Sequence, residues 1–405
     1  MHILRLHKRI PIEAIMCFII ILMSGTVYFS YIHRSFYQWV LFGSCAFLIV
    51  LKKSFITPSA LFSVIPFVFL IILNTIFNSD DLNNDGFNMN VGYILRFVLC
   101  GLAPFCLDKS KFIKAYIYIM SLITAVSLIC FFIQITFPFV PYLIAISSDF
   151  EDPYFYSLFH TWGWGGIIFQ RNCGPFWEPG GFQGFLTMAL LILLFEKSKL
   201  FKPSFKLFSF FLFVICILTT GSSTAYILLG IILTAKFKTV VSTMSVLPAI
   251  FKYLFGITII LGSVLFIYKS NNIQEKLNGK NESASIRQND LLGGLEISTS
   301  SPIIGLGPTH TRDQLKENYK VAKDDSAGLT NMAYQYGYPF LIIYLIWAFK
   351  GLCAFFGNKN IRIIYPIFII MSLTEGLWIL PFYIYIVFYR NNKNIKHLKI
   401  DTTKY

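Results

Sequence analysis

Residues 171–195 read RNCGPFWEPGGFQGFLTMALLILLF and join a charged, Pro- and Gly-rich stretch directly to an apolar run. Pro179 suits the first turn of a helix, because its missing N–H is not needed there. Glu178 just before it complements the positive end of the helix dipole. The junction therefore predicts a helix that starts near Pro179, with an Arg, a Trp and a Glu just before its N-terminal end.

The composition of the whole chain predicts an integral membrane protein. Of its 405 residues, 56% are hydrophobic and only 13% are charged, whereas soluble domains carry about 25% charged residues. Runs of about 20 apolar residues can cross the hydrocarbon core. Such runs lie near residues 11–32, 35–51, 58–77, 91–107, 112–137, 181–195, 207–220, 224–235, 246–268, 333–349 and 363–389.

The positive charges predict the orientation of these spans. With the N-terminus in the cytoplasm, most Lys and Arg residues fall on the cytoplasmic side and most acids on the other side, as the positive-inside rule requires. The net charge of +14 therefore needs no nucleic acid as a partner. Because both flanks of 363–389 are basic, we expect two short helices that meet near Glu375 to Pro381. The count is then about twelve spans with both termini inside, and eleven spans with one long tilted helix is the alternative.

Two segments on the external side, 138–180 and 269–331, are too long for simple connections, and long loops of this kind are usually functional or disordered. We treat residues 1–405 as a single all-α membrane domain with these two large loops. The tight turn TGSST between 207–220 and 224–235 predicts the tip of a helical hairpin. Among Cys and His no metal-ligand spacing is visible, and we expect no metal and no cofactor.

Several short motifs in the two loops occur in a definite order. The first loop contains R-x-x-G-x-F-x-E-P, formed by Arg171, Gly174, Phe176, Glu178 and Pro179, followed by a further glycine. In the second loop Arg287 comes first, then the P-x-x-G-x-G element of residues 302–307, and then an Asp325-Ser326 pair ahead of a membrane span.

This order resembles the O-antigen ligase and Wzy-type polymerase superfamily of bacterial surface-polysaccharide enzymes. The resemblance implies a GT-C-like membrane architecture in the cytoplasmic (inner) membrane. It also implies a metal-independent glycosyltransferase that passes a glycan held on undecaprenyl diphosphate to a lipid-linked repeat unit at the outer face. Implied partners are this lipid-linked oligosaccharide, the membrane lipids and a separate chain-length regulator.

The residue types suit that chemistry. A planar Arg fork binds phosphate in a bidentate manner and stays charged, and preorganised cations stabilise a diphosphate leaving group. Arg171, Arg287 and Arg96 are the candidate cations, and Glu178 and then Asp325 are the candidate bases for the acceptor hydroxyl. Trp177 and Trp164 offer flat faces that stack on sugars or lie at the membrane interface.

The resemblance leaves three functions to compare. A Wzy-type polymerase of O-antigen, capsule or exopolysaccharide is favoured, because ligases of the superfamily generally carry His-Asn where this chain has Asp325-Ser326. The ligase that moves finished glycan to lipid A core is the first alternative. Transporters concentrate polar residues near the midplane and often contain repeats. Because this sequence has few charges within its predicted spans and no visible repeat, a lipid-linked oligosaccharide flippase ranks third. Arg96 lies within a predicted span, where a charge indicates either function or snorkelling to the surface. Glu375 either lines the cavity or marks a break between two short helices.

Overall fold

The computed structural model describes residues 10–29, 34–79, 84–137, 160–163, 170–196, 200–237, 291–309 and 328–390. Within these ranges the regular secondary structure is helical, apart from one two-stranded sheet and the isolated Thr26–Phe176 bridge. The helices are α1 (Ile12–Leu22), α2 (Arg34–Leu51), α3 (Pro58–Phe77), α4 (Asn84–Cys106), α5 (Lys109–Thr136), α6 (Pro179–Phe195), α7 (Pro203–Thr219), α8 (Ser223–Ala235), α9 (residues 291–298), α10 (Gly328–Phe356), α11 (Ile361–Thr374) and α12 (Pro381–Phe388). The predicted span at 246–268 lies outside the described residues.

Four of the described helices are long and apolar enough to cross a membrane: Pro58–Phe77, Gly86–Cys106, Lys109–Thr136 and Gly328–Phe356. Shorter apolar helices accompany them, including α6, α7 and α8. The described chain therefore has the character of a helical membrane protein, as its composition predicts. Helix α8 has only 13 residues, a length of about 20 Å, which is less than the hydrocarbon thickness.

Helix α6 lies at the centre of the bundle, and all 17 of its residues are buried. It packs against α5, α7, α8 and α11 and against strand β2. A helix that is apolar all round is expected to be enclosed on every side, so the uniform run from Phe185 to Phe195 accounts for this position. Helix α12, also buried along its whole length, lies beside α4, α10 and α1.

The first predicted loop contains a short antiparallel hairpin of β1 (His160–Gly163) and β2 (Gln170–Gly174). These strands were not predicted from the sequence. Asn172 ties β2 to the bundle, because its Oδ1 accepts from Ser127 Oγ at 2.7 Å and its Nδ2 donates to Thr219 Oγ1 at 3.0 Å. Residues 170–178 are thereby fixed to α5 and α7.

Three predicted spans differ from the helices observed. The run 11–32 is interrupted after Leu22 and is helical again only at residues 27–29, because Gly25 adopts φ +94° and Thr26 pairs with Phe176 of the first loop. The run 91–107 is the end of a longer helix that begins at Asn84. The run 333–349 is part of α10, which is interrupted at Gly337 (φ 83°, ψ 166°).

Two predicted features are confirmed. Helix α11 ends at Thr374, a 3-10 turn follows at Leu377–Ile379, and α12 starts at Pro381. This is the predicted break between two short helices in the region from Glu375 to Pro381. Helices α7 and α8 are joined by a tight turn of residues 220–222, in which Gly221 has φ +61°. Backbone in this left-handed region favours glycine.

Candidate functional site

The start of α6 carries two of the predicted site residues. Glu178 is the N-cap residue and Pro179 follows in the first turn, as predicted. The Glu178 side chain does not cap the helix. Its Oε1 instead accepts a hydrogen bond of 3.0 Å from Trp177 Nε1. The half-buried carboxylate is therefore held in one orientation by the indole beside it.

Trp177 is wedged between two glycines. A Cβ on Gly181 would lie 2.7 Å from the indole ring, and one on Gly25 would also overlap it. The Trp177 backbone N–H donates to the Gly25 carbonyl at 3.2 Å. The broken end of α1 therefore holds the indole in place, and the structure gives Trp177 a positioning contact with Glu178. Its predicted stacking on a sugar stays a prediction.

Arg171 reaches the turn between α7 and α8. Its Nε donates to the Thr220 carbonyl at 3.0 Å, and its side chain lies close against Gly221. Helix α8 begins at the same turn, with Ser222 as N-cap and its hydroxyl accepting from Ala225 N–H at 3.4 Å. This turn has no charged residue of its own, and Arg171 of the first loop brings a positive charge to it. A guanidinium and the positive end of a helix dipole thus lie side by side.

Glu375 is a second carboxylate at the start of α6. It is 2% exposed and sits in the break between α11 and α12. Its Oε1 lies directly over Gly180, in the first turn of α6, and any Cβ at position 180 would collide with it. The main-chain carbonyl of Glu375 lies against Gly328, the first residue of α10. Glu375 therefore lies where the starts of α6 and α10 meet the end of α11.

Arg96 lies in α4, whose first seven residues are the polar stretch NDGFNMN, so it stays near the start of the apolar run at residue 91. Its guanidinium lies 6.0 Å from the centroid of the Tyr93 ring. Tyr93 in turn packs against Tyr336 and Trp378. Function and snorkelling both stay predictions for Arg96.

The second-loop motif docks on the break in α10. Gly337 and Pro339 interrupt the helix, so the carbonyls of Tyr334 and Gln335 lose the donors that a continuous helix would supply. Leu306 N–H donates to the Tyr334 carbonyl at 2.8 Å, and Gly307 N–H donates to the Gln335 carbonyl at 3.0 Å. The P-x-x-G-x-G element therefore replaces the missing helical hydrogen bonds.

Sequence reasoning missed Asn74, which completes this junction. Asn74 is fully buried in α3, and its Nδ2 donates to the carbonyls of Ile304 at 2.9 Å and Gln335 at 2.8 Å. The signal was present, because a lone amide inside the run IILNTIF is costly in an apolar phase unless it has partners. What the sequence could not supply was the identity of those partners.

The structure thus brings Arg171, Trp177 and Glu178 onto one fixed segment and adds Glu375 beside it. Arg96 belongs to a separate aromatic cluster around Tyr93. The predicted residues Asp325, Arg287 and Trp164 lie outside the described part of the chain. Within that part, no group of three or more His, Cys, Asp or Glu side chains could hold a metal ion.

No protein-family model, no curated protein and no solved structure matches this chain.

Proposed function

We propose that this protein is a polymerase of bacterial surface polysaccharide. In this proposal it transfers a glycan from undecaprenyl diphosphate onto a lipid-linked repeat unit at the outer face of the cytoplasmic membrane. The observation that carries the proposal is the fixed segment 170–178. It holds a cation, Arg171, at one end and a carboxylate, Glu178, at the other, at the starts of the two apolar helices α8 and α6. The ordered motifs of the two loops support the same function.

Arg171 is proposed to bind the diphosphate of the donor. Its Nε bond to the Thr220 carbonyl orients the planar guanidinium, and the start of α8 beside it offers backbone N–H groups of the kind that bind phosphate. In the transfer, the bond between the sugar C1 and the diphosphate oxygen breaks and its electron pair stays on that oxygen. A fixed cation at that oxygen stabilises the transition state. Arg287 and Arg96 are proposed as further cations.

Glu178 is proposed as the base for the acceptor. The acceptor hydroxyl oxygen forms the new bond to C1 and loses its proton, which passes to a carboxylate. Trp177 Nε1 fixes one oxygen of Glu178, so the other oxygen can face the acceptor. Asp325 is the second candidate for this role. All of the protons and electrons in this scheme are accounted for without a metal or cofactor.

A gene deletion tests this proposal. The cell-surface and lipid-linked glycans of the deletion strain are separated on a gel, with the strain complemented by the wild-type gene as control. We expect single repeat units without a ladder, and restoration of the ladder by the wild type but not by Arg171→Ala or Glu178→Gln. Long glycan stranded on the lipid carrier would instead identify a ligase. Single units trapped at the cytoplasmic face would identify a flippase.

A matched variant separates loss of chemistry from loss of protein. Gly230→Ala changes a position in α8 where an added Cβ meets nothing within 4 Å. We expect this variant to be produced at the wild-type level and to restore the ladder fully. Arg171→Ala and Glu178→Gln must reach the same level in the membrane for their glycan phenotypes to be interpreted as chemical.

A further inference from the structure

Three helices share one level at the end of the bundle that lies away from the candidate site. Lys109, the first residue of α5, forms an ion pair of 2.9 Å with Glu196, the residue after α6. Lys236, the residue after α8, lies 4.0 Å from the centroid of the Phe195 ring at the end of α6. The start of α5 and the ends of α6 and α8 therefore lie side by side, and lengths along the three helices can be counted from this level.

The three helices differ in length. Helix α8 has 13 residues, α6 has 17 and α5 has 28, which correspond to about 20, 26 and 42 Å. The starts of α6 and α8, where Glu178 and Arg171 lie, are therefore well short of the far end of α5. A direct contact agrees with this count. Asn172 Oδ1 in β2 accepts a hydrogen bond of 2.7 Å from Ser127 Oγ, and Ser127 lies nine residues, or about 14 Å, before the end of α5 at Thr136.

The part of α5 beyond Ser127 has the character of a lipid-facing helix. Its large exposed side chains are apolar: Ile129, Phe132, Ile133 and Ile135. From Ala115 to its end α5 contains no charged residue, and this stretch has about the length that crosses the hydrocarbon core. Ser127 lies near the middle of the stretch, so the hydrogen bond from Ser127 places β2 at a level inside the membrane.

Charged side chains at this level need water. Arg171 and Glu178 are both partly exposed, and a charge exposed to hydrocarbon is strongly disfavoured. Non-helical backbone at membrane depth occurs only where it is enclosed by protein or lines a water-filled cavity. Segment 170–178 combines the two conditions, because Asn172, Cys173 and Phe176 are buried against the bundle while its two charged side chains keep an exposed part.

We propose that segment 170–178 is re-entrant: it lies within the thickness of the membrane, about 14 Å below the end of α5, and its Arg171 and Glu178 face a water-filled recess. The recess opens on the side of the membrane opposite Lys109 and Lys236. The starts of α6 and α8 form its floor, and α5, which packs against β2, α6 and α7, forms one wall. The proposal does not depend on the glycosyl transfer.

The first part of the test measures depth in the full-length protein reconstituted in liposomes. Ile129→Cys and Phe137→Cys, both at exposed positions of α5 or its end, are each labelled with bimane, and the parent protein gives the background from its own cysteines. The liposomes contain lipids brominated either deep in the acyl chains or near the headgroups. We expect the deep bromines to quench best at 129 and the shallow bromines to quench best at 137. Strongest quenching at 129 by the shallow bromines would place Ser127 and the site at the membrane surface and overturn the proposal.

The second part measures water access with a charged methanethiosulfonate reagent supplied on both faces of the liposomes. Arg171→Cys and Glu178→Cys are compared with Ile129→Cys, and thermal unfolding in detergent identifies the variants that are folded. The reagent needs a thiolate, which hydrocarbon strongly disfavours, so we expect positions 171 and 178 to react faster than 129 by a factor on the order of 10². A folded variant at 171 or 178 that reacts as slowly as 129 would show that protein encloses the segment and that no water-filled recess exists.

Discussion

At the scale of single residues, the Glu375 carboxylate lies directly over Gly180 in the candidate site. The buried carboxylate occupies the space where a side chain at position 180 would begin. Both residues belong to regions where helices start or end, so neither can move without shifting a helix. We interpret Glu375 as the residue that fixes the start of α6, and with it the orientation of Glu178.

We expect Gly180→Ala to destabilise the protein and to fail to restore the glycan ladder in the deletion strain. Overpacking of a tight interior typically costs about 1–3 kcal/mol, and here the added methyl group meets a carboxylate in a break between helices. Thermal unfolding of the purified protein in detergent measures the stability, and Gly230→Ala is the matched control in open space. Shortening the opposing side chain in Gly180→Ala/Glu375→Asp is expected to recover part of the loss. If the double variant unfolds at the same temperature as Gly180→Ala, the overlap with Glu375 is not the cause of the lost stability.

At the scale of elements, the sequence predicted the helix boundaries that depend on local residue patterns. Pro179 marks the start of α6 and the region of Glu375 to Pro381 marks the break before α12, because proline and glycine act through their own backbone. The left-handed turn at Gly25 was missed, since its cause is the Trp177 ring about 150 positions away in the chain. The same limit applies to Arg171 at the α7–α8 turn, where residue types gave no indication of the contact.

The docking of the second loop on α10 gives a prediction for Asn74→Leu. This change removes the donor to the carbonyls of Ile304 and Gln335 and leaves the Ile304 carbonyl without its Asn74 partner. Loss of such a buried partner costs about 1–3 kcal/mol. We expect a lower unfolding temperature and faster protease cleavage between 291 and 309. Asn78→Ala serves as the comparison, because Asn78 is only half-buried and donates to a single carbonyl outside its own helix, that of Gly305.

At the scale of the whole molecule, charged groups lie at both ends of the central helix α6. Glu178 lies at the start of α6, and at its other end Glu196 forms an ion pair of 2.9 Å with Lys109. Lys52 Nζ donates to the carbonyl of Cys106, the last residue of α4. Lys109 and Lys52 therefore lie at the end of α6 opposite the candidate site, which is the cytoplasmic end if that site faces outward as proposed.

Labelling of single cysteines in intact cells measures this orientation. We expect a membrane-impermeant maleimide to react with Glu296→Cys in whole cells, and with Lys359→Cys only after the membrane is permeabilised. Both positions are exposed in the structure, so access across the membrane decides the outcome. The opposite pattern of labelling would place the candidate site on the cytoplasmic side and would remove the proposed transfer at the outer face.

The most direct test of the central claim is chain extension by the purified protein in liposomes supplied with undecaprenyl-diphosphate-linked repeat units. Products are resolved by length on a gel, and Arg171→Ala, Glu178→Gln and Gly230→Ala are compared with the wild type. We predict a ladder for the wild type and Gly230→Ala, and a rate lower by a factor on the order of 10² for Arg171→Ala, the effect of removing a group that stabilises transition-state charge. A wild-type protein that extends no chain, or an Arg171→Ala variant that extends chains at the wild-type rate, would contradict the account.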